Sequence, residues 1–159
     1  TSYIPTVASQ VTRAADVASV NTLTPWFNAS AGTFVLQGDT ASFAASPVVL
    51  GRNTTTTDGT YITGGGAYAD WNGTTSVNTA NTTSINAVFK GATAYDGSGR
   101  YVCLNAGTVA TTATLIRTVD AFYLGKPGSA TTQMLNGHLR QVSYYNTRLP
   151  DAKLQALTA

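Results

Sequence analysis

The sequence lacks most of the side chains on which common enzyme chemistry depends. Glutamate is absent, all seven acidic residues are aspartate, and cysteine and histidine each occur once. A single cysteine excludes an intrachain disulfide, and no catalytic triad or zinc ligand set with plausible spacing can be assembled. Cys103 lies in an alternating run and is predicted to be a small buried apolar residue. His138 is predicted to be hydrogen-bonded to a neighbour rather than catalytic.

Charge is also scarce, at 10% of residues against about 25% in typical domains. The net charge is only +2 and Lys and Arg do not cluster, which argues against nucleic acid as a partner. No apolar stretch reaches the roughly 18 residues of a membrane helix, so we expect no membrane insertion. Threonine takes the place of the charges, and eight Tyr, five Phe and two Trp are spread along the chain. Because disordered chains have few aromatics, this composition predicts a folded protein.

The pattern of apolar residues predicts an all-β fold. Threonine, which is branched at Cβ, suits a pleated sheet, and short strand-like runs alternate with Gly, Asn and Asp. The predicted strands are residues 32–39, 42–51, 60–63, 67–71, 83–91, 100–107, 113–118, 119–126 and 138–146. Pro47 in the second run indicates an edge position or a bulge. This many short strands predicts a two-sheet antiparallel jelly-roll sandwich.

The chain ends on a different pattern. Leu139 and Val142 in the last strand are three residues apart, which requires either a bulge or burial of both strand faces. The closing PDAKLQALT predicts a short helix, with Pro150 at its first position and Leu154 and Leu157 on one face. A helix of this length is not stable alone, so we expect it to pack on the sandwich.

The aspartates are scattered rather than paired. Asp58, Asp70 and Asp96 lie in or beside predicted turns, where Asp commonly bonds to the local backbone. A glycosidase needs two carboxylates about 5–9 Å apart, and we expect no such pair, no catalytic residue and no cofactor. No metal site is assigned. Calcium stays open, because Asp70 with Asn72, or Asp96 with loop carbonyls, would supply oxygen ligands, although no dense acidic loop is present.

One stretch, TYITGGGAYADWNG, combines aromatic and polar side chains with flexible glycines. Aromatic faces cover the apolar side of a sugar ring, and amides and carboxylates bind its hydroxyls. The candidate ligand-binding residues are Tyr61, Tyr68, Asp70, Trp71 and Asn72. A surface with few charges and many hydroxyls suits a neutral polysaccharide. The alternative is that the aromatics alternate into the core: Tyr68 and Asp70 share one face of their strand, and Trp71 shares the other with Ala67 and Ala69.

Three segments together resemble a known family. They are TSYIPTVASQVTRAADVASV (1–20), WFNASAGTFVLQG (26–38) and FYLGKPGSATTQMLNGHLRQVSYYNTRLPDAKLQALT (122–158). They resemble concanavalin A-like, laminin-G-type jelly-roll domains, and more narrowly those of tailed-bacteriophage virion proteins such as tail fibres. Residues 39–80 depart from the family pattern. In such domains the last strand returns to the sheet edge and the short helix packs over the end of the sandwich.

The resemblance implies a biological setting. Residues 1–159 are then a single jelly-roll domain, a fragment or the C-terminal part of a longer virion protein, made in the bacterial host cytoplasm and carried on the virion surface. The expected partners are a host surface polysaccharide or other glycan, other virion proteins and further copies of the chain, with a trimer favoured. Host attachment predicts an exposed aromatic platform, with Trp71 or Tyr68 as its centre. The alternative, capsid decoration or fibre assembly without glycan binding, predicts an exposed apolar patch.

Overall fold

The computed structural model describes residues 17–129 and 132–159, which form a β-sandwich of two antiparallel sheets with one short C-terminal helix. The predicted fold class is thereby confirmed. The TRAAD motif of the opening segment lies outside the described residues. Within the described residues, no helix has the length and apolar character needed to cross a membrane.

The first sheet, sheet A, has six strands. They are β1 (Ser19–Val20), β3 (Val48–Gly51), β4 (Gly59–Ile62), β5 (Ala67–Trp71), β6 (Ser76–Thr82) and β10 (Phe122–Leu124). Their spatial order is β1-β10-β3-β4-β5-β6, with every neighbouring pair antiparallel. Strands β3 to β6 therefore form a meander, whose centre carries the stretch that the sequence singles out.

The second sheet, sheet B, has five strands. They are β2 (Gly32–Thr40), β7 (Phe89–Asp96), β8 (Gly99–Leu104), β9 (Ala110–Thr112) and β11 (Gly137–Tyr145). The order is β11-β2-β7-β8-β9, so the last strand lies at a sheet edge as expected. The helix α1 (Asp151–Leu157) follows it, beginning one residue after Pro150 rather than at it.

One predicted strand is wrong over most of its length. The run 83–91 is not extended until Phe89, where β7 begins. Asn86 takes a left-handed conformation with φ 62°, which Asn tolerates better than most residues. This turns the chain and breaks the apparent alternation. Ile85, expected on the core face, is 50% exposed as a result.

Two strands of sheet A, β1 and β6, were not predicted from the sequence pattern, and in sheet B the strand β9 lies earlier in the chain than predicted. In β6 only Val77 and Thr79 are buried, so the apolar signal is too weak to mark a strand. The predicted strand 113–118 is wrong, and the pairing to β8 is made earlier, by β9. Of the predicted strand 42–51, only Val48–Gly51 forms a strand, β3. Pro47 lies just before that strand, and a bulge follows inside it.

The irregular spacing in β11 is resolved by a bulge. The pairing with β2 shifts register between Leu139 and Gln141. Leu139 before the shift and Tyr144 after it both pack against the core between the sheets. The extra residue, Arg140, therefore keeps the apolar side chains of both halves on one face, as expected of a β-bulge.

Two apolar clusters stabilise the fold. The larger fills the space between the sheets with Phe34, Leu36, Val49, Leu50, Ile62, Tyr68, Val77, Phe89, Tyr95, Val102, Leu104 and Phe122. The smaller lies on the outer face of sheet B, where Leu154 of α1 packs among Val35, Ala92, Ala94 and Cys103. The helix thus covers the outer face of sheet B and not the end of the sandwich, because the apolar face that it buries lies there.

Cys103 is buried under this helix, as predicted. Its Sγ lies 3.2 Å from the carbonyl oxygen of Gly107 and 3.3 Å from the hydroxyl of Thr158. Burial raises the pKa of the thiol, which opposes thiolate formation and therefore nucleophilic reactivity. Leu154 and Leu157 share the packed face of α1, also as predicted.

Candidate functional site

The outer face of sheet A carries two aromatic side chains on adjacent strands. Tyr61 of β4 lies opposite Ala69 of β5, and Gly59 lies opposite Trp71. Residues paired in register point to the same face, so Tyr61 and Trp71 are diagonal neighbours, about 7–8 Å apart between Cα atoms. Ala69 lies between them and is too small to fill the space. The alternation predicted for β5 is therefore confirmed: Trp71 and Ala69 share the outer face.

These two aromatics line a groove of about 320 Å³. Its lining residues, which define what is called here the aromatic groove, are Ser46, Val48, Thr57, Tyr61, Trp71 and Gln133. Val48 lies opposite Tyr61 in the sheet, so strands β3, β4 and β5 provide an apolar and aromatic floor. Loop residues provide a polar rim. None of the described residues that line the groove carries a charge.

The polar side-chain groups of the aromatic groove have no hydrogen-bond partner among the described residues. Ser46 and Gln133 form hydrogen bonds through their backbones only: Ser46 N donates to Phe43 O, and Gln133 O accepts from Val48 N at 2.8 Å. Trp71 likewise accepts at its carbonyl oxygen, from Arg52. The side-chain polar groups of Ser46, Thr57, Tyr61, Trp71 and Gln133 form no hydrogen bond with any described residue. They remain free to bind hydroxyl groups of a ligand.

Tyr68 and Asp70 point the opposite way and do not reach this groove. Both are fully buried between the sheets. The Tyr68 hydroxyl accepts a hydrogen bond from Thr93 at 3.2 Å, and burial raises the pKa of that phenol. Their assignment as ligand-binding residues is corrected by the alternation of β5, which turns every second side chain inward. For these two residues the alternative interpretation, burial in the core, is the one that holds.

Asp70 is the centre of a buried ion cluster rather than a turn residue. Its Oδ1 lies 2.9 Å from Arg52 Nη2, and its Oδ2 lies 2.8 Å from Arg100 Nη1. Arg100, fully buried, also donates to backbone and hydroxyl oxygens of Thr75 and Thr114. Since Arg52 and Asp70 belong to the sheet A side and Arg100 to β8, the cluster joins the two sheets.

One edge of this cluster is incompletely bonded. Arg52 Nη1 and both carboxylate oxygens of Asp58 are buried and have no hydrogen-bond partner in the described part of the chain. Asp58 was expected to bond locally in a turn, and this expectation is wrong for its side chain. Asp96 does behave that way, since its Oδ1 accepts from Ser98 N at 2.8 Å.

Asn72, also a candidate ligand-binding residue, lies at a turn, and its side-chain amide is bonded within the protein. Its Oδ1 accepts from the backbone N–H groups of Thr74 and Thr75, and its Nδ2 donates to Leu115 O at 2.8 Å. These bonds use its polar atoms to hold the β5–β6 turn against the β9–β10 connection. Asn72 thus follows Trp71 in sequence without joining the groove.

Sequence reasoning missed the groove residues that come from loops. Ser46, Thr57 and Gln133 lie far apart in sequence and meet only in the folded chain. A run of four threonines before Asp58 was a usable signal, because polar loops on a rigid scaffold often bind ligands. No sequence signal indicates that Gln133 lies across from them.

His138 lies elsewhere, on the edge strand β11, with its side chain 80% exposed. Its Nδ1 lies 3.0 Å from Asp39 Oδ1, and Arg140 contacts the other carboxylate oxygen at 2.8 Å. Hydrogen bonds from His138 and then Arg140 lower the pKa of Asp39. The prediction that a neighbour bonds His138 is confirmed. In the described residues no three or more His, Cys, Asp or Glu side chains lie close enough to hold a metal ion.

The fold is shared with solved carbohydrate-related proteins. The CBM40 carbohydrate-binding module of Ruminococcus gnavus IT-sialidase, bound to α2,3-sialyllactose, matches with 21% identity and a TM-score of 0.68 over 83% of this chain and 84% of that one. A second structure of that module gives 22% identity and a TM-score of 0.64, covering 82% and 83% of the two chains.

A sialidase of Trypanosoma rangeli also matches, with 13% identity and a TM-score of 0.63. The match covers 80% of this chain but only 22% of the sialidase. No family model and no curated protein matches the sequence. At these identities the structural likeness shows the β-sandwich fold, which agrees with the concanavalin A-like fold that the sequence predicts.

Proposed function

We propose that this domain is a non-enzymatic carbohydrate-binding module that holds a glycan in the aromatic groove. The observation that carries the proposal is the placement of Tyr61 and Trp71 on one face, beside polar side chains that form no hydrogen bond with any described residue. The fold likeness to the CBM40 module of Ruminococcus gnavus, solved with a bound glycan, supports it.

The dimensions and chemistry of the groove fit a short stretch of sugar. Its volume of about 320 Å³ is at the lower end of the ligand-pocket range of roughly 300–1,000 Å³. A pyranose ring would lie with its CH face against Trp71 or Tyr61, where apolar contact is favourable. Its hydroxyls would then face Ser46, Thr57 and Gln133 on the rim, which supply both donors and acceptors.

Binding without hydrolysis follows from the same lining. Glycoside hydrolysis uses two carboxyl groups on either side of the scissile bond, and the aromatic groove is lined by no Asp. Asp70, the acidic residue next to Trp71 in sequence, is enclosed between two arginines on the inner side of the sheet. It is positioned to hold the sheets together and not to protonate a ligand.

We further propose that the module acts at the surface of a tailed-phage particle, attaching it to a host polysaccharide. The support is the resemblance of the YLG, NGHLR and RLPDAKLQAL segments to virion jelly-roll domains. In that setting other virion proteins and further copies of this chain, in a trimer, are the expected partners. The particle surface is the expected location.

One observation favours the alternative, a structural role in fibre assembly or capsid decoration. A second groove, of about 240 Å³, is almost wholly apolar and runs between the β1–β10 edge of sheet A and β11 of sheet B. It is lined by Val20, Trp26, Phe34, Leu50, Phe122, Leu124, Val142 and Tyr144. Trp26, Val20 and Val142 in it are each about 40% exposed, which suits contact with a neighbouring protein.

The deciding experiment is a glycan-array and whole-cell binding assay on the domain, with Trp71→Ala beside it. We expect binding that falls about tenfold or more in the variant, as for a buried aromatic anchor. The matched control is Tyr145→Ala, which removes an exposed aromatic from β11 on the other sheet and should leave binding unchanged. Equal binding by wild type and a folded Trp71→Ala variant, or no binding by wild type, contradicts the proposal.

A further inference from the structure

We infer that the aromatic groove selects neutral sugars and discriminates against sialic acid. This inference rests on the proposed function and adds the class of ligand. It separates this chain from the Ruminococcus gnavus module with the same fold, which was solved with α2,3-sialyllactose. The distinction depends on where the chain places its cationic side chains.

Recognition of a sugar acid needs a positive partner for its carboxylate. Arginine serves best, because its planar guanidinium donates two parallel hydrogen bonds to the two carboxylate oxygens. Among the described residues, none that lines the aromatic groove is Arg, Lys or His. Its polar groups are two hydroxyls of aliphatic residues, a phenol, an indole N–H and a primary amide. Such groups bind sugar hydroxyls well but do not neutralise a carboxylate.

Two arginines lie just behind the groove but cannot reach it. Arg52 follows β3, and Arg100 lies in β8; they are 2% and 0% exposed. Both point to the inner side of sheet A, where each forms an ion pair with Asp70, at 2.9 Å for Arg52 and 2.8 Å for Arg100. Turning either one outward would leave the buried carboxylate of Asp70 with one cationic partner fewer, which is strongly unfavourable.

Two further cations in the described part of the chain lie near sheet A but outside the groove. The ammonium group of Lys126 lies 5.3 Å from the ring centre of Tyr123, over its face. Arg117 packs its guanidinium against Gly73 in the β5–β6 turn: a Cβ added to Gly73 would lie only 2.6 Å from Arg117 Cζ. Neither side chain lines the groove.

The consequence is a penalty for sialylation. A carboxylate that enters the groove loses water and gains no opposite charge, and burying an unpaired charge is unfavourable. A neutral ring loses only hydroxyl hydration, which the free polar side chains of the rim replace. Affinity should therefore depend little on salt, because no ion pair is formed.

The test is a printed array that carries neutral oligosaccharides, each beside its sialylated counterpart. The best pair is then titrated by calorimetry at about 0.05 M and about 0.5 M NaCl, which spans strong and weak screening. We expect the sialylated member to bind about tenfold or more weakly, and the neutral member to bind equally at both salt concentrations. Equal or tighter binding of the sialylated member overturns the inference but leaves the glycan-binding function standing. Absence of binding to every printed glycan overturns both.

A charge placed in the groove sharpens the test. In Gln133→Arg and, separately, Thr57→Arg, we expect the ratio of sialylated to neutral affinity to rise by about tenfold, the value of a charge-assisted hydrogen bond. Arg117→Ala is the matched control, since it removes a nearby cation without touching the lining, and the ratio should stay at its wild-type value. A ratio unchanged in both arginine-bearing variants, or lowered in Arg117→Ala, contradicts the inference.

Discussion

The outer face of sheet B is covered by a helix, whereas the outer face of sheet A is open. On sheet B, Val35, Ala92 and Ala94 are covered by α1, whose Leu154 is fully buried among them. On sheet A, the corresponding outward side chains of β4 and β5, Tyr61 and Trp71, stay half-exposed beside a groove. The first face has small aliphatic residues that allow a helix to approach closely. The second has large aromatics and is left open by loops.

The hydrogen bonding of polar side chains also differs between the two outer faces. Under α1 the Thr158 hydroxyl donates to Leu154 O and contacts the Cys103 sulfur, so that it is fully engaged. In the aromatic groove the hydroxyls of Ser46 and Thr57 contact no described polar group. Most buried polar groups are bonded within the protein, whereas polar groups on an open surface are bonded by water or a ligand. The open face is therefore the functional candidate.

The contrast recurs within a single strand, where consecutive residues of β5 serve the two sides of sheet A. Asp70 faces inward between two arginines, and Trp71 faces outward into the groove. The largest expected effect comes from breaking the inward side. In Asp70→Asn two buried guanidinium groups lose their counter-charge, and we expect the free energy of unfolding to fall by about 3–5 kcal/mol, measured by urea denaturation.

Asp96→Asn is the matched control for that substitution. Asp96 accepts one local backbone bond in an exposed turn, which an asparagine Oδ1 also accepts. We expect its free energy of unfolding to stay within about 0.5 kcal/mol of wild type. If Asp70→Asn lowered the free energy of unfolding no more than Asp96→Asn does, the ion cluster would not hold the sheets together.

The closed outer face is tested by Leu154→Ala. Removing this fully buried side chain leaves a cavity between α1 and sheet B, and we expect a loss of about 2–5 kcal/mol in the free energy of unfolding. Glycan affinity, measured well below the unfolding temperature, should stay unchanged because the groove lies on the other sheet. A folded Leu154→Ala protein with weakened glycan binding would show that the two faces are not independent.

The open outer face is tested by Tyr61→Phe, a smaller change in structure. This change keeps the ring and removes only the hydroxyl, which has no partner among the described residues. We expect stability to stay within about 0.5 kcal/mol of wild type and glycan affinity to fall by a few-fold, the value of one net hydrogen bond of about 1 kcal/mol. A large loss of stability on denaturation would instead mean that the hydroxyl is structural.

The smallest effect is expected at the edge of sheet B, where Asp39 is bonded by His138 and Arg140. These bonds lower the pKa of Asp39 from its ordinary 3.8. As pH falls, the unfolded chain takes up this proton first, so the stabilisation is present above about pH 4 and is lost as pH drops through the lowered value. We expect Asp39→Asn to be less sensitive than wild type to acid between about pH 5 and pH 2.5 in thermal unfolding scans. A steeper acid dependence in the variant contradicts this assignment.

The sequence was informative where local pattern determines structure. Alternation in AYADW placed Trp71 on the opposite face from Tyr68 and Asp70, and the three-residue spacing in β11 indicated either a bulge or burial of both strand faces. It was uninformative where distant segments meet. One partner of Asp70 is Arg100, thirty residues away along the chain, and the groove needs Gln133 from a third segment. In β6 the threonines and asparagines carry no apolar period, and the strand is recognised only from its pairing with β5.

The most direct test of the account uses the two tryptophans as separate reporters. Trp26→Phe leaves Trp71 as the only tryptophan in the chain, and Trp71→Phe leaves Trp26. Each variant is titrated with the best neutral oligosaccharide from the array while its emission is recorded. A saturable change in the emission of Trp71, with none from Trp26, is the predicted result. A change reported by Trp26 alone would place the ligand in the apolar groove on the other side and contradict the account.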